Sequence, residues 1–221
     1  MDWEAHAERE EGRYRDGLDR LPEEPDPRQK QLVRIAMAAG GAGLARLMQG
    51  RRGEAAGWFA RSAERYRESF DHAPPESWGR LIGAVKSRLL AGDWEGAAAD
   101  ARWALGHGPG ESASPIGRYA AALSALVLGD DSLAGGLAES LQAEEEDAFP
   151  RPVADALVAL ASGDGPAYKE AAGRVLDSFE TREEYLEDIP VADTVLVLEA
   201  LADKRGLATR PSSSLLPAED W

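Results

Sequence analysis

Three histidines, two acidic runs, one glycine cluster and one serine triplet are where this sequence offers groups that could do chemistry. His6, His72 and His107 could ligate a metal or relay a proton, but none has a Glu or a second His at the spacing of a helical H-E-x-x-H set. They read as surface or helix-end residues. Gly40-Gly41-Ala42-Gly43 has the glycine density of a phosphate loop, yet no strand precedes it, no Gly-Lys-Ser/Thr follows, and an apolar stripe runs on through it. Close helix packing explains it better. The carboxylates of Glu144 to Asp147 and of Glu183, Glu184, Glu187 and Asp188 could pair as general acid and base or hold a hard cation. Neither run follows a D-x-D-x-D-G loop pattern, and charge runs ordinarily stay in water, so both read as solvated faces. Ser212-Ser213-Ser214 lacks a nucleophile-elbow context. With no cysteine there is no disulfide, thiol nucleophile or thiolate metal site. No catalytic residue, cofactor site or metal site is assigned from the sequence.

Composition narrows the partners. The net charge is −15, with 40 acidic residues against 25 basic ones, of which Lys30, Lys86, Lys169 and Lys204 are the lysines. A field of that sign repels phosphate backbones, so nucleic acid is not an expected partner. The arginine bias and acid excess fit a salt-adapted, halophile-type surface, or a GC-rich genome that favours arginine over lysine; both readings stay open. The N-terminus carries no basic segment followed by an apolar one, and no run is long enough to cross a bilayer. The expectation is a soluble, cytoplasmic protein.

The elements that would position these residues are helices. Apolar residues recur at spacings of three and four over Leu32, Ile35, Ala36, Ala39, Leu44 and Leu47, and again over Ala55, Trp58, Phe59, Ala63 and Tyr66. The same period marks Leu81, Ile82, Val85 and Leu89, then Ala97, Ala98, Ala101 and Leu105, and continues to Val195, Leu198 and Leu201. Sustained two-residue alternation is missing, so strands are not expected. Pro22, Pro25 and Pro27 interrupt the chain after a charged N-terminal helix spanning 1–21, which reads as an exposed cap docking weakly. A closing helix is expected to start near Pro190. Trp58, Trp78 and Trp94 fall on helix stripes and read as core, whereas Trp3 and Trp221 lie at the termini.

Four of the helices run out at a glycine: Gly50, Gly92, Gly129 and Gly163, separated by 42, 37 and 34 residues, each followed by a second, Ala-rich helix. A two-helix unit recurring at about this period reads as a stacked array, because one hairpin cannot bury both its apolar faces alone. The fold expected is all-α: stacked antiparallel helix pairs, either a tetratricopeptide-like α-α array or an irregular helical bundle. The length fits one helical-repeat domain over 1–221, with the charged helix 1–21 at one end and a C-terminal tail, 207–221, at the other.

The segment Tyr185-Leu186-Glu187-Asp188-Ile189-Pro190-Val191-Ala192-Asp193-Thr194-Val195-Leu196, with Leu201, Arg205-Gly206-Leu207 and Ser214-Leu215-Leu216-Pro217, resembles the C-terminal signature of the immunity protein 49 family. The resemblance is specific over about residues 185–217 and only general upstream. It implies a helical protein that neutralises a toxin of a polymorphic toxin system. The residues also make sense as a plain structural cap, in which the 191/195/198/201 stripe docks and Gly206 lets the chain leave in a left-handed turn. The sequence therefore points to a non-catalytic protein-binding module that occludes a toxin. A tetratricopeptide-like scaffold and an enzyme with an unrecognised carboxylate site are the alternatives. A protein partner more basic than this chain is expected, with Glu183, Glu184 and Glu187 as the contact residues.

Overall fold

The protein is described by a computed structural model covering residues 1–145, 147–185 and 188–218. Among these residues there are ten α-helices and no strand, as the helical periodicity requires. The chain divides into two compact units. The first comprises Met1–Asp93 with the described residues of Glu183–Val191 and Ser212–Trp221; the second comprises Trp94–Arg182 and Ala192–Pro211.

The first unit is built on long helices: α1 (Trp3–Asp19), α2 (Pro25–Met48), α3 (Arg52–Phe70) and α4 (Trp78–Leu90), each packed on the next. The proline cluster breaks the chain only over 20–24, and Pro25 and Pro27 lie in the first turn of α2. A first-turn residue has no helical acceptor for its N–H, so proline costs nothing there. The N-terminal helix is seated more deeply than its charge suggests, with Ala7, Glu10, Tyr14 and Gly17 buried. Tyr14 packs with Ile35, Ala38 and Ala39 of α2, and the half-buried Trp58 meets its ring edge-on at 5.3 Å.

The glycines of α2 each make room for a side chain from a different helix. A Cβ on Gly43 would lie 2.7 Å from the Phe59 ring, one on Gly41 would lie 3.0 Å from Glu10 Cγ, and one on Gly40 would approach Ser62 Oγ at 3.5 Å. The phosphate-loop look of 40–43 is thus a packing surface. Beneath it a hydroxyl chain ties three helices, Ser87 Oγ donating to Ser62 Oγ at 3.0 Å and Ser62 Oγ to the Ala36 carbonyl at 2.8 Å.

The second unit uses shorter helices: α5 (Trp94–Leu105), α6 (Pro115–Leu128), α7 (Asp131–Gln142), α8 (Arg151–Ser162), α9 (Gly165–Glu180) and α10 (Asp193–Asp203). Helices α5 to α9 pack in chain order, and α10 lies against α8 and α9. Helix α10 begins three residues past Pro190, because the Val191 N–H bond to the Ile189 carbonyl at 2.8 Å closes a three-residue turn centred on Pro190, a conformation that is not helical. Small residues fill the interior, Ala120, Ala121, Ala122, Ala154, Ala156, Ala171 and Ala172 among them. Alanine lets helix axes approach closely, and the indoles expected in the core, Trp58, Trp78 and Trp94, are half-buried, with Trp78 and Trp94 at the first positions of α4 and α5 and Trp58 against the Tyr14 cluster.

The repeat glycines end their helices in one way. Gly50, Gly92, Gly129 and Gly163 have φ between 70° and 75°, and Gly206 has φ 69°. In every case the next residue's N–H reaches the carbonyl five residues back: Arg51 to Arg46, Asp93 to Arg88, Asp130 to Ala125, Asp164 to Ala159 and Leu207 to Ala202, all at 2.9 to 3.0 Å. This closure satisfies the last carbonyls of the helix and needs a left-handed residue, which glycine supplies without a Cβ penalty. At two of the turns the following Asp starts the next helix: Asp130 accepts from Leu133 N at 3.1 Å and Asp164 from Ala167 N at 3.0 Å. A Gly-Asp pair therefore ends one helix and caps the next.

Candidate functional site

Glu183 and Glu184 follow α9, exposed, and neither has a hydrogen-bond or ion-pair partner among the described residues. Glu187 lies outside the described residues. Unpaired carboxylates on a surface are free to meet a cation brought by another molecule.

The histidines stay apart. His6 lies 5.6 Å from the Trp3 ring, His107 meets Trp103 edge-on at 5.3 Å, and His72 is exposed. Among the described residues no group of three or more His, Asp or Glu is disposed to hold a metal ion. Nor, among them, is any helix long and apolar enough to cross a membrane.

Clefts among the described residues include one on each unit. One of about 310 Å³ between α1 and α2 is lined by Arg13, Asp16, Arg20, Gln31 and Arg34. Arg13 is bonded to Glu10 at 2.9 Å and Arg20 to Asp16 at 3.2 Å. The other, of about 240 Å³ along α8 and α9, is lined by Asp155, Asp164, Glu170 and Arg174. There Arg174 bridges Asp155 at 2.8 Å and Glu170 at 2.9 Å, and Arg151 adds a bond to Asp155 at 3.1 Å. Apart from Asp164, which caps α9, these carboxylates are spent on the chain's own arginines.

The polar groups that sequence reasoning missed are buried or half-buried. Glu10, fully buried over Gly41, takes Arg9 Nε at 2.8 Å and Arg13 Nη1 at 2.9 Å. Arg46 donates to Glu4 at 2.8 Å, to Glu11 at 2.7 Å and to Gln49 at 3.2 Å. Burial works against its charge, but the bonds it donates to Glu4 and Glu11, with their charges, outweigh burial and raise its pKa above the ordinary arginine value. Arg80 donates to the Ser69 carbonyl and to Gln29 Oε1, and desolvation lowers its pKa. In the second unit, Arg205 donates to the Leu126 carbonyl at 2.8 Å and to Asp131 at 2.7 Å, so the end of α10 secures the α6–α7 turn.

Glu199 of α10 accepts four hydrogen bonds. Its Oε1 accepts the Tyr168 hydroxyl at 2.7 Å and the Thr209 hydroxyl at 2.8 Å, and its Oε2 accepts the backbone N–H groups of Thr209 at 2.8 Å and Arg210 at 2.7 Å. Burial, then the Glu199 charge, push the Tyr168 phenol far above its ordinary range, so it stays a donor. Helical spacing places Glu199 among Val195, Leu198 and Leu201, and no local signal marks its strap partner.

Compared with protein-family models, with curated proteins and with solved structures, the chain matches none.

Proposed function

We propose that this protein is a non-catalytic, protein-binding module that neutralises a toxin by occluding it, acting as immunity proteins do. The observation that carries the reading is the pair of exposed, unpartnered carboxylates Glu183 and Glu184, which immediately precede the stretch that resembles the immunity protein 49 signature. The Gly-closed hairpins support it, because rigid helices present a surface at little entropic cost. The net charge of −15 favours a basic partner and speeds its encounter at low salt. A tetratricopeptide-like scaffold is the second reading, favoured by the Gly-Asp turns at Gly129-Asp130 and Gly163-Asp164.

The test pairs this chain with the protein encoded beside it. Reversing Glu183, Glu184 and Glu187 to Lys should slow association roughly tenfold at low salt and flatten its salt dependence, with helicity unchanged. An unchanged on-rate and salt slope would reject the acidic contact. If the neighbouring product does not bind at all, the immunity reading fails; if purified chain turns over a small substrate, so does the binding-only reading.

A further inference from the structure

Residues 207–210 form a strap that leaves α10 at Gly206 and runs back past the helix. Leu207 lies near Gly165 at the start of α9, its Cδ2 3.6 Å from where a Cβ would sit. Arg210 holds a left-handed backbone, φ 47°, which a residue with a Cβ adopts only at a cost. What offsets that cost is one side chain. Glu199 takes three of its four hydrogen bonds from the strap and the fourth from Tyr168, which is fully buried on α9.

The two oxygens of Glu199 face different kinds of donor. Oε2 meets two backbone N–H groups, which can only donate. Oε1 meets two hydroxyls, which rotate and can accept as readily as they donate. Among the described residues no cation bonds to Glu199, and the Arg210 guanidinium donates to Asp203 at 3.1 Å. The site thus requires an acceptor toward the backbone but makes no such demand toward the hydroxyls.

We propose that Glu199 is a latch for the 207–210 strap that works by acceptor geometry rather than by charge, so that the strap opens as a unit when the Oε2 acceptor is lost and stays shut when only the charge is removed. An amide in place of the carboxylate keeps one oxygen on the two backbone N–H groups, and its NH₂ donates to the Tyr168 and Thr209 oxygens after both hydroxyls turn round. Opening bares the Tyr168 hydroxyl and the adjoining α9–α10 surface, giving the second unit an alternative state set by one side chain. This inference does not depend on the toxin-binding reading.

The experiment is amide hydrogen exchange at Thr209 and Arg210 in the full chain. Glu199→Met should speed exchange at both amides roughly a hundredfold, with helical circular dichroism retained. Glu199→Gln should leave it within about threefold of the parent. The proposal is overturned if Gln opens the strap as far as Met does, since charge would then hold it, or if Met leaves the amides protected. Should the Met variant not fold, Thr209→Val, which removes one hydroxyl from Oε1 and leaves the Oε2 acceptor in place, decides: the Arg210 amide should exchange within about threefold of the parent, and a rise of roughly tenfold or more would reject the latch.

Discussion

The two units bury polar groups in opposite ways. The first puts ions inside: Glu10 with Arg9 and Arg13, and Arg46 with Glu4 and Glu11, both between α1 and α2 or along their contact. The second buries Glu199 among hydroxyls and backbone amides, with Asp100 of α5 as a further buried carboxylate, and fills much of the remaining space with alanine. A buried ion pair depends on both partners staying in place, because losing one strands the other's charge. A carboxylate held by neutral donors depends on geometry instead. The N-terminal unit should therefore respond to changes of charge, and the C-terminal unit to changes of shape.

The sharpest way to break this contrast is to remove one charge from each unit. Arg46→Met should cost about 3 kcal/mol, the low end for a broken buried pair because half-exposed Glu4 can return to water. Glu199→Gln should change stability by less than about 1 kcal/mol. Denaturant melts of the full chain measure both, and equal losses would erase the distinction.

Helical glycines give a second comparison. At Gly43 an added methyl meets the Phe59 ring at 2.7 Å, so Gly43→Ala should cost about 1–3 kcal/mol through overpacking. Gly136, exposed on α7, has nothing within 4 Å of the same methyl, so Gly136→Ala should gain about 0.5–1 kcal/mol from helix propensity. A loss at Gly136 would mean that this face of α7 is not open.

The smallest effect expected is on pH. Arg46, donating to Glu4, holds the Glu4 carboxyl below its ordinary 4.5. A depressed folded pKa contributes stability that is complete above the unfolded value and is lost as pH falls through the folded one. Exchange protection of α1 should therefore decline as pH drops below about 4.5, and Glu4→Gln should remove that part of the decline. A profile unaltered by the substitution would assign the acid sensitivity of α1 elsewhere.

How much of this was legible beforehand depends on how local each cause is. The repeat glycines were readable as helix ends because a left-handed closure is a property of a few consecutive residues. Pro25 and Pro27 were misleading as breaks, since whether a proline stops or starts a helix depends on where the first turn falls. The seating of α1 was hidden, because Glu10 and Arg46 look like surface charges until Gly41 and α1 come together around them. Of the expected contact residues, Glu183 and Glu184 could be placed on the surface by charge alone, but nothing local says what meets them.

Sequence by itself determined that the chain is helical and where most of its helices stop, because periodicity and glycine act through neighbouring peptide groups. Tertiary structure alone decided which charges go inside. Glu10 is buried because Gly41 leaves it room, and Glu199 is buried because the chain, turning at Gly206, returns the Thr209 and Arg210 amides to it. A charge enters a low-dielectric interior only where its partners are already assembled, and that assembly is a property of the fold.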